Sequence, residues 1–127
     1  MWKKYRHEGV IFIRDTDASG RVFCPRPIEW VIEAFEKVCL ERANDAKDLA
    51  IVKAGVHFLS PLSWMDRYSL ELSIIRVSNR SFDLKGEIFH GERVMVTVEI
   101  TFVVSSSSND FLMRYWQKAQ ENLSVGC

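Results

Sequence analysis

Apolar and polar residues alternate along much of the second half of the chain, a period of two that is typical of β-strands with one apolar face. The clearest alternation covers residues 94–104. Stretches with the same period lie at residues 52–58, 70–74 and 82–88, and a short apolar run precedes them at residues 9–13. We therefore predict five strands, of which the last four follow one another as antiparallel hairpins.

A helical period marks residues 27–42, where apolar residues recur three and four positions apart. Pro27 suits the first helical turn, and Trp30 and Ala34 widen the apolar surface beyond a single stripe. A short C-terminal helix is predicted at residues 111–119. The order of elements predicts an α+β domain in which an antiparallel sheet of about five strands wraps around one long central helix.

Composition narrows the class of protein. The chain has 127 residues, which suit a single domain over residues 1–127, and its formal net charge of zero disfavours nucleic acid as a partner. No apolar run approaches the ~20 residues that span a bilayer, so we expect no membrane insertion and a cytoplasmic location. The three cysteines form no CxxC pair and His7, His57 and His90 lie far apart, which disfavours a metal site.

Residues 15–20 (Asp-Thr-Asp-Ala-Ser-Gly) are the strongest candidate for chemistry. A plain turn is one interpretation, because Asp, Ser and Gly favour turns. The other interpretation rests on position, because the predicted helix begins within ten residues of this segment. Helix N-termini present unpaired N–H groups that suit an oxyanion, and a nearby carboxylate can act as nucleophile or general base on an ester-like carbonyl.

The segment 15–23, with Pro25 and the helix that follows, resembles the N-terminal signature of the 4-hydroxybenzoyl-CoA thioesterase family. Residues 56–62, Asp66 and Ser81 are similar to that family's second strand, the turn after it and the start of the next strand. The resemblance covers residues 10–104 and implies the hotdog fold, in which a sheet wraps a central helix. It agrees with the element order predicted above from periodicity.

The resemblance also implies an acyl-CoA thioesterase that needs no cofactor, since coenzyme A is part of its substrate. Asp17 matches the family's catalytic carboxylate, a nucleophile or a base for water. The match extends to the loop that supplies oxyanion and substrate contacts, which corresponds to Gly20, Val22, Phe23 and Cys24. Arg80 matches a basic position that some members use on the CoA phosphates, whereas Cys24 and Pro27 depart from residues common in relatives.

Aromatic side chains favour an aryl thioester as the substrate, with His57 and Trp64 as candidate acyl-pocket residues. Within the family, a small stand-alone chain of this kind resembles the 1,4-dihydroxy-2-naphthoyl-CoA thioesterases of quinone biosynthesis. Short-chain and hydroxybenzoyl-CoA thioesterases are the competing interpretations.

Two rivals share the fold. The segment from His57 to Pro61 resembles the histidine segment of hotdog dehydratases, but the Pro-Gly that should follow is missing. A non-catalytic acyl-CoA binding module predicts instead that acyl-CoA binds and survives intact. Because one helix cannot cover both faces of the sheet, we also expect a homo-oligomer, a dimer or a dimer of dimers, with acyl-CoA as its ligand.

Overall fold

A computed structural model of the protein describes residues 6–42, 49–78 and 80–104. The helix α1 is Arg26–Arg42, 17 residues long, which confirms the helix predicted from Pro27 to Arg42. The strands are β1 (Arg6–Val10), β2 (Leu49–Phe58), β3 (Arg67–Val77), β4 (Ser81–His90) and β5 (Arg93–Val104). The predicted C-terminal helix at residues 111–119 lies outside the described residues.

All five strands form one antiparallel sheet in the order β1-β3-β4-β5-β2. The predicted hairpins are confirmed for β3, β4 and β5. The hairpin predicted between β2 and β3 is wrong, because β2 lies at the far edge and pairs with β5. A period of two identifies a strand and its apolar face, but it does not identify the strand's neighbour.

The first strand lies earlier in the chain than predicted. β1 ends at Val10, so the strand predicted at residues 9–13 overlaps it only at residues 9 and 10, and a 3₁₀ turn occupies Ile13–Asp15. The carboxylate of Asp15 accepts a hydrogen bond of 2.9 Å from the backbone N–H of Phe12, which turns the chain away from the sheet. The apolar run 9–13 therefore combines the end of a strand with the start of a turn.

The core lies between α1 and one face of the sheet. Val31, Ala34 and Phe35 of α1 are buried there, and Phe35 packs against Phe82 and Phe102 with ring centroids 5.8 and 4.8 Å apart. Near the start of the helix, Trp30 stacks on Tyr68 of β3 at 4.6 Å. These contacts fix the N-terminal end of α1 against the sheet, and this end is where the candidate site lies.

Strand β2 is more exposed than its alternating pattern predicts. A bulge between Ile51 and Lys53 leaves Val52 as an extra residue, and its side chain is 61% exposed. Phe58 at the end of the strand is 36% exposed. The apolar face of β2 is therefore incompletely covered by α1.

Candidate functional site

The segment around Asp17 is a tight hairpin turn. The backbone N–H of Gly20 donates to the carbonyl of Asp17 at 3.0 Å, and the N–H of Asp17 donates to the carbonyl of Arg21 at 2.8 Å. Gly20 adopts a φ of 79°, a left-handed conformation that residues with a side chain rarely adopt. Glycine at this position lets the chain reverse directly after Asp17.

The carboxylate of Asp17 is exposed and held by Ser19. Its Oδ1 accepts hydrogen bonds from the backbone N–H of Ser19 at 2.8 Å and from the Ser19 hydroxyl at 2.5 Å. These two donors, the hydroxyl first, lower the pKa of Asp17 from its ordinary value, and Arg21 adds to the effect. The group is therefore an ionised carboxylate at neutral pH, as either proposed role for Asp17 requires.

The turn is anchored to the segment that joins β2 to β3. The backbone N–H of Val22 donates to the carbonyl of Leu62 at 2.9 Å, and the N–H of Trp64 donates to the carbonyl of Gly20 at 3.3 Å. Leu62 is fully buried, so this contact ties the turn to the core. The position of Asp17 is thus set by the segment between β2 and β3 as well as by its own turn.

An open depression of about 340 Å³ lies beside Asp17. The end of β2 and the loop after it form one wall, and the turn forms the other. The lining residues are Asp17, Arg21, Val22, Phe58, Leu59, Ser60, Pro61 and Leu62. This places the carboxylate against a partly apolar surface large enough to receive a small acyl group.

The backbone N–H groups of the predicted oxyanion loop are not equally available. Those of Gly20, Val22 and Phe23 donate to the carbonyls of Asp17, Leu62 and Asp15. In the part of the chain that the structure describes, no acceptor faces the N–H of Cys24, two residues before α1 begins. Among the four residues predicted for the oxyanion loop, Cys24 is thus the one whose N–H has no acceptor among the described residues, and only Val22 lines the depression.

A second carboxylate, Asp15, begins the segment that the sequence singles out, but the sequence assigns it no role of its own. It is 2% exposed, and its Oδ1 accepts from Nε of Arg26 at 2.8 Å and from Nη2 at 2.5 Å. Arg26 also donates from Nη1 to Glu29 at 2.8 Å. One signal was available in the sequence, because a cation at a helix N-terminus is electrostatically unfavourable and implies a nearby anion.

Three other predicted site residues lie apart from the depression. His57 pairs with Thr97 on β5, on the opposite face of the sheet from Phe58, and its side chain is exposed. Trp64 is 52% exposed, and its backbone N–H bonds to the turn. Arg80 follows the far end of β3, whose 11 residues place it on the order of 30 Å from the Asp17 turn within one chain.

Within residues 6–42, 49–78 and 80–104, no group of three or more His, Cys, Asp or Glu side chains is arranged to hold a metal ion. None of the described helices is long and apolar enough to span a lipid bilayer.

Comparison with protein families gives one matching family model, described as the thioesterase superfamily, over residues 29–97. The chain is 28% identical over 94 residues to a 1,4-dihydroxy-2-naphthoyl-CoA hydrolase of Microcystis aeruginosa, covering 68% of each protein. A second hydrolase of that name, from Picosynechococcus sp., is 28% identical over 93 residues, covering 67% of this chain and 64% of the relative.

Solved structures show the same architecture. A 1,4-dihydroxy-2-naphthoyl-CoA thioesterase from Synechocystis superposes with a TM-score of 0.75 at 22% identity, covering 94% of this chain and 97% of that one. A gentisyl-coenzyme A thioesterase superposes with a TM-score of 0.69 at 26% identity, covering 77% of this chain and 85% of that one. These superpositions confirm the hotdog fold for the sheet and α1.

Proposed function

Because this chain belongs to the thioesterase superfamily and is a thioester hydrolase, we propose that it hydrolyses an aromatic acyl-CoA and that Asp17 is the catalytic carboxylate. The single observation that carries the proposal is the ionised, exposed carboxylate of Asp17 at the wall of an open depression. The substrate we propose is 1,4-dihydroxy-2-naphthoyl-CoA, an intermediate of quinone biosynthesis. The names of the two hydrolases support this choice, and that of the gentisyl-coenzyme A thioesterase supports an aryl group.

In the proposed reaction, the thioester carbon lies beside Asp17 and its carbonyl oxygen accepts a hydrogen bond from the N–H of Cys24. Negative charge develops on that oxygen, and a preorganised donor at a helix N-terminus stabilises it. The donor is available because no described residue accepts from it. The acyl group is proposed to occupy the depression, against Phe58 and Leu59.

Asp17 then acts in one of two ways. As a base it takes a proton from water, whose oxygen bonds to the thioester carbon; as a nucleophile its own oxygen forms that bond, and water hydrolyses the resulting anhydride. In both, the carbon–sulfur bond breaks and its electrons leave with the CoA sulfur. A thiolate is a good leaving group, because thiols have a pKa near 8.5. Strong general-acid assistance is therefore unnecessary.

The CoA moiety is proposed to contact Arg80, and this contact requires a second copy of the chain. Arg80 and the Asp17 turn lie at opposite ends of β3, so one chain does not bring them together. In the described sheet β2 is a long edge strand that pairs with β5 on one side, and it has exposed apolar side chains that a second copy can cover. We therefore propose a homo-oligomer whose active sites combine residues of two subunits.

The first prediction tests Asp17 directly. We expect Asp17→Asn to lower turnover on the order of 100- to 10,000-fold, because asparagine neither accepts the proton nor attacks the carbonyl. Hydrolysis is measured by release of free CoA thiol from a panel that includes benzoyl-CoA, 1,4-dihydroxy-2-naphthoyl-CoA and hexanoyl-CoA. The aryl substrates should be hydrolysed fastest.

The matched control is Asp83→Asn, the same substitution at a carboxylate on β4 that accepts a hydrogen bond from Thr101. Its turnover should equal that of the unsubstituted protein. Unchanged turnover in Asp17→Asn would remove Asp17 from the mechanism, and faster hydrolysis of hexanoyl-CoA would contradict the aryl assignment. Binding of acyl-CoA without any release of thiol would favour a binding module instead.

A further inference from the structure

The Asp15 carboxylate is the most buried charged group of the described residues, and both of its oxygens accept hydrogen bonds. It is 2% exposed; Oδ1 accepts from two nitrogens of Arg26, and Oδ2 accepts from the N–H of Phe12. An ionised carboxylate is retained in such a place only when donors compensate the loss of water. The Asp15–Arg26 pair is therefore a fixed contact, unlike an exposed ion pair.

This pair joins the two ends of the segment that carries the candidate chemistry. Asp15 precedes Asp17 by two residues, and Arg26 follows Cys24 by two residues. A parallel contact lies inside it, since the N–H of Phe23 donates to the carbonyl of Asp15 at 2.8 Å. Together these bonds close residues 15–26 into a loop whose ends cannot move independently.

Helix stability alone does not account for Arg26 at this position. Arg26 is the first residue of α1, where the partial positive charge of the helix end disfavours a cation. Asp15 and Glu29 offset that cost by contacting the guanidinium. A neutral residue would avoid that cost but would leave the buried Asp15 carboxylate without two of its donors, so the guanidinium at this position serves the contact with Asp15 and not the helix.

We propose that the Arg26–Asp15 pair positions the carboxylate of Asp17 relative to the N–H of Cys24. This inference rests on the proposed function, because it assigns positioning residues to the same site. Arginine suits the role because Nε and Nη2 both reach one carboxylate oxygen in a rigid, planar fork. A lysine ammonium keeps the charge but cannot reproduce that fork.

The test compares Arg26→Lys and Asp15→Asn with the unsubstituted protein. We expect kcat to fall about 10- to 100-fold with KM nearly unchanged, because a small misplacement of the reacting groups lowers the rate without removing binding contacts. Steady-state kinetics use the fastest substrate of the panel, at a temperature where circular dichroism shows each variant folded. Arg76→Lys is the matched control, since it alters an ion pair with Asp83 across β3 and β4 whose arginine is 79% exposed.

A second measurement does not depend on activity. Amide hydrogen exchange at Phe12 and Phe23 should accelerate at least about tenfold in Arg26→Lys, because their N–H groups bond to Asp15, while exchange in β4 and β5 stays unchanged. If Asp15→Asn fails to fold, the test rests on Arg26→Lys alone. That variant keeps a positive charge beside the buried Asp15 carboxylate.

Three results would overturn the positioning role. The first is a kcat within twofold of the unsubstituted protein in folded Arg26→Lys. The second is a loss of kcat that only follows the folded fraction, and the third is unchanged exchange at Phe12 and Phe23. If any of these results is found and Asp17→Asn is inactive, only the positioning role fails and the proposed function stands. An active Asp17→Asn would contradict the proposed function itself.

Discussion

Asp17 sits in a turn that fixes its ionisation as well as its direction. Ser19 donates two hydrogen bonds to the same carboxylate oxygen, and both favour the charged form. The cost is a weaker base, because a carboxylate with a lowered pKa accepts protons less readily. Ser19 is thus the residue through which the pH dependence of the site can be adjusted.

We predict that Ser19→Ala raises the pKa of Asp17, because the hydroxyl is the largest cause of its depression. Activity that needs ionised Asp17 is lost as pH falls through that pKa. The acid limb of the kcat/KM profile should therefore move to higher pH in the variant. The profile is measured between about pH 3 and pH 7, with NMR titration of the Asp17 carboxyl as an independent readout.

Ser73→Ala on β3 serves as the control, since Ser73 lies in the strand away from the turn. Its acid limb should coincide with that of the unsubstituted protein. An acid limb at unchanged or lower pH in Ser19→Ala would show that the Ser19 hydroxyl does not stabilise the charged form of Asp17.

The turn at Asp17 is predictable from the sequence, because its features are local. An aspartate three positions before a glycine is typical of such turns, and the structure places both residues as that pattern requires. The contact between Asp15 and Arg26 was not predicted. It joins residues 11 positions apart and depends on where α1 begins relative to the turn, which periodicity locates only to within a few residues.

At the level of elements, α1 and β4 approach closely because of a glycine. A Cβ built at Gly86 would collide with Cγ2 of Val31 on α1. Helix and sheet therefore meet at a point where the sheet presents no side chain. This contact sets the distance between α1 and the sheet.

We predict that Gly86→Ala lowers the free energy of unfolding by about 1–3 kcal/mol, because an extra methyl group overpacks the contact with Val31. Urea unfolding followed by circular dichroism measures the change. Gly55→Ala is the matched control, since a Cβ there meets no atom within 4 Å.

Adding Val31→Ala to Gly86→Ala should recover part of the lost stability, because it removes the side chain that the new methyl meets. Equal unfolding midpoints for Gly86→Ala and Gly55→Ala would contradict the close contact.

The elements themselves were largely predictable, whereas their partners were not. Helix α1 and strands β3, β4 and β5 follow from periods of 3.6 and two, since each buries one continuous face. The bulge at Val52 and the pairing of β2 with β5 arise from contacts between segments distant in sequence. Such contacts leave no local period.

On the scale of the whole molecule, the sheet has two unequal edges. β1 has 5 residues and β2 has 10, and β2 carries exposed Ile51 and Val52 near its bulge. A long edge strand with apolar side chains is a surface that proteins usually cover. The proposed second copy would cover it and bring a second Arg80 into reach of the Asp17 turn.

We predict that the protein has at least twice its monomer mass in light scattering and that Val52→Lys lowers that mass. The lysine places a charge on the 61% exposed position at the centre of the proposed contact. Turnover should fall together with the mass, because each proposed site takes residues from two subunits.

Val77→Lys makes the same change at the end of β3, where Val77 is 44% exposed, and should leave mass and turnover unchanged. A monomeric mass for the unsubstituted protein would refute the composite site, as would full turnover by a dissociated Val52→Lys.

The order of the strands has a consequence for synthesis on the ribosome. β2 leaves the exit tunnel long before β5, its only strand partner in the described sheet, because β3 and β4 lie between them in the chain. β3, β4 and β5 are joined by short turns and can pair as soon as they emerge, whereas β2 must wait with its apolar residues uncovered. We expect the nascent chain to need a chaperone at this stage and to be most prone to aggregation just before β5 emerges.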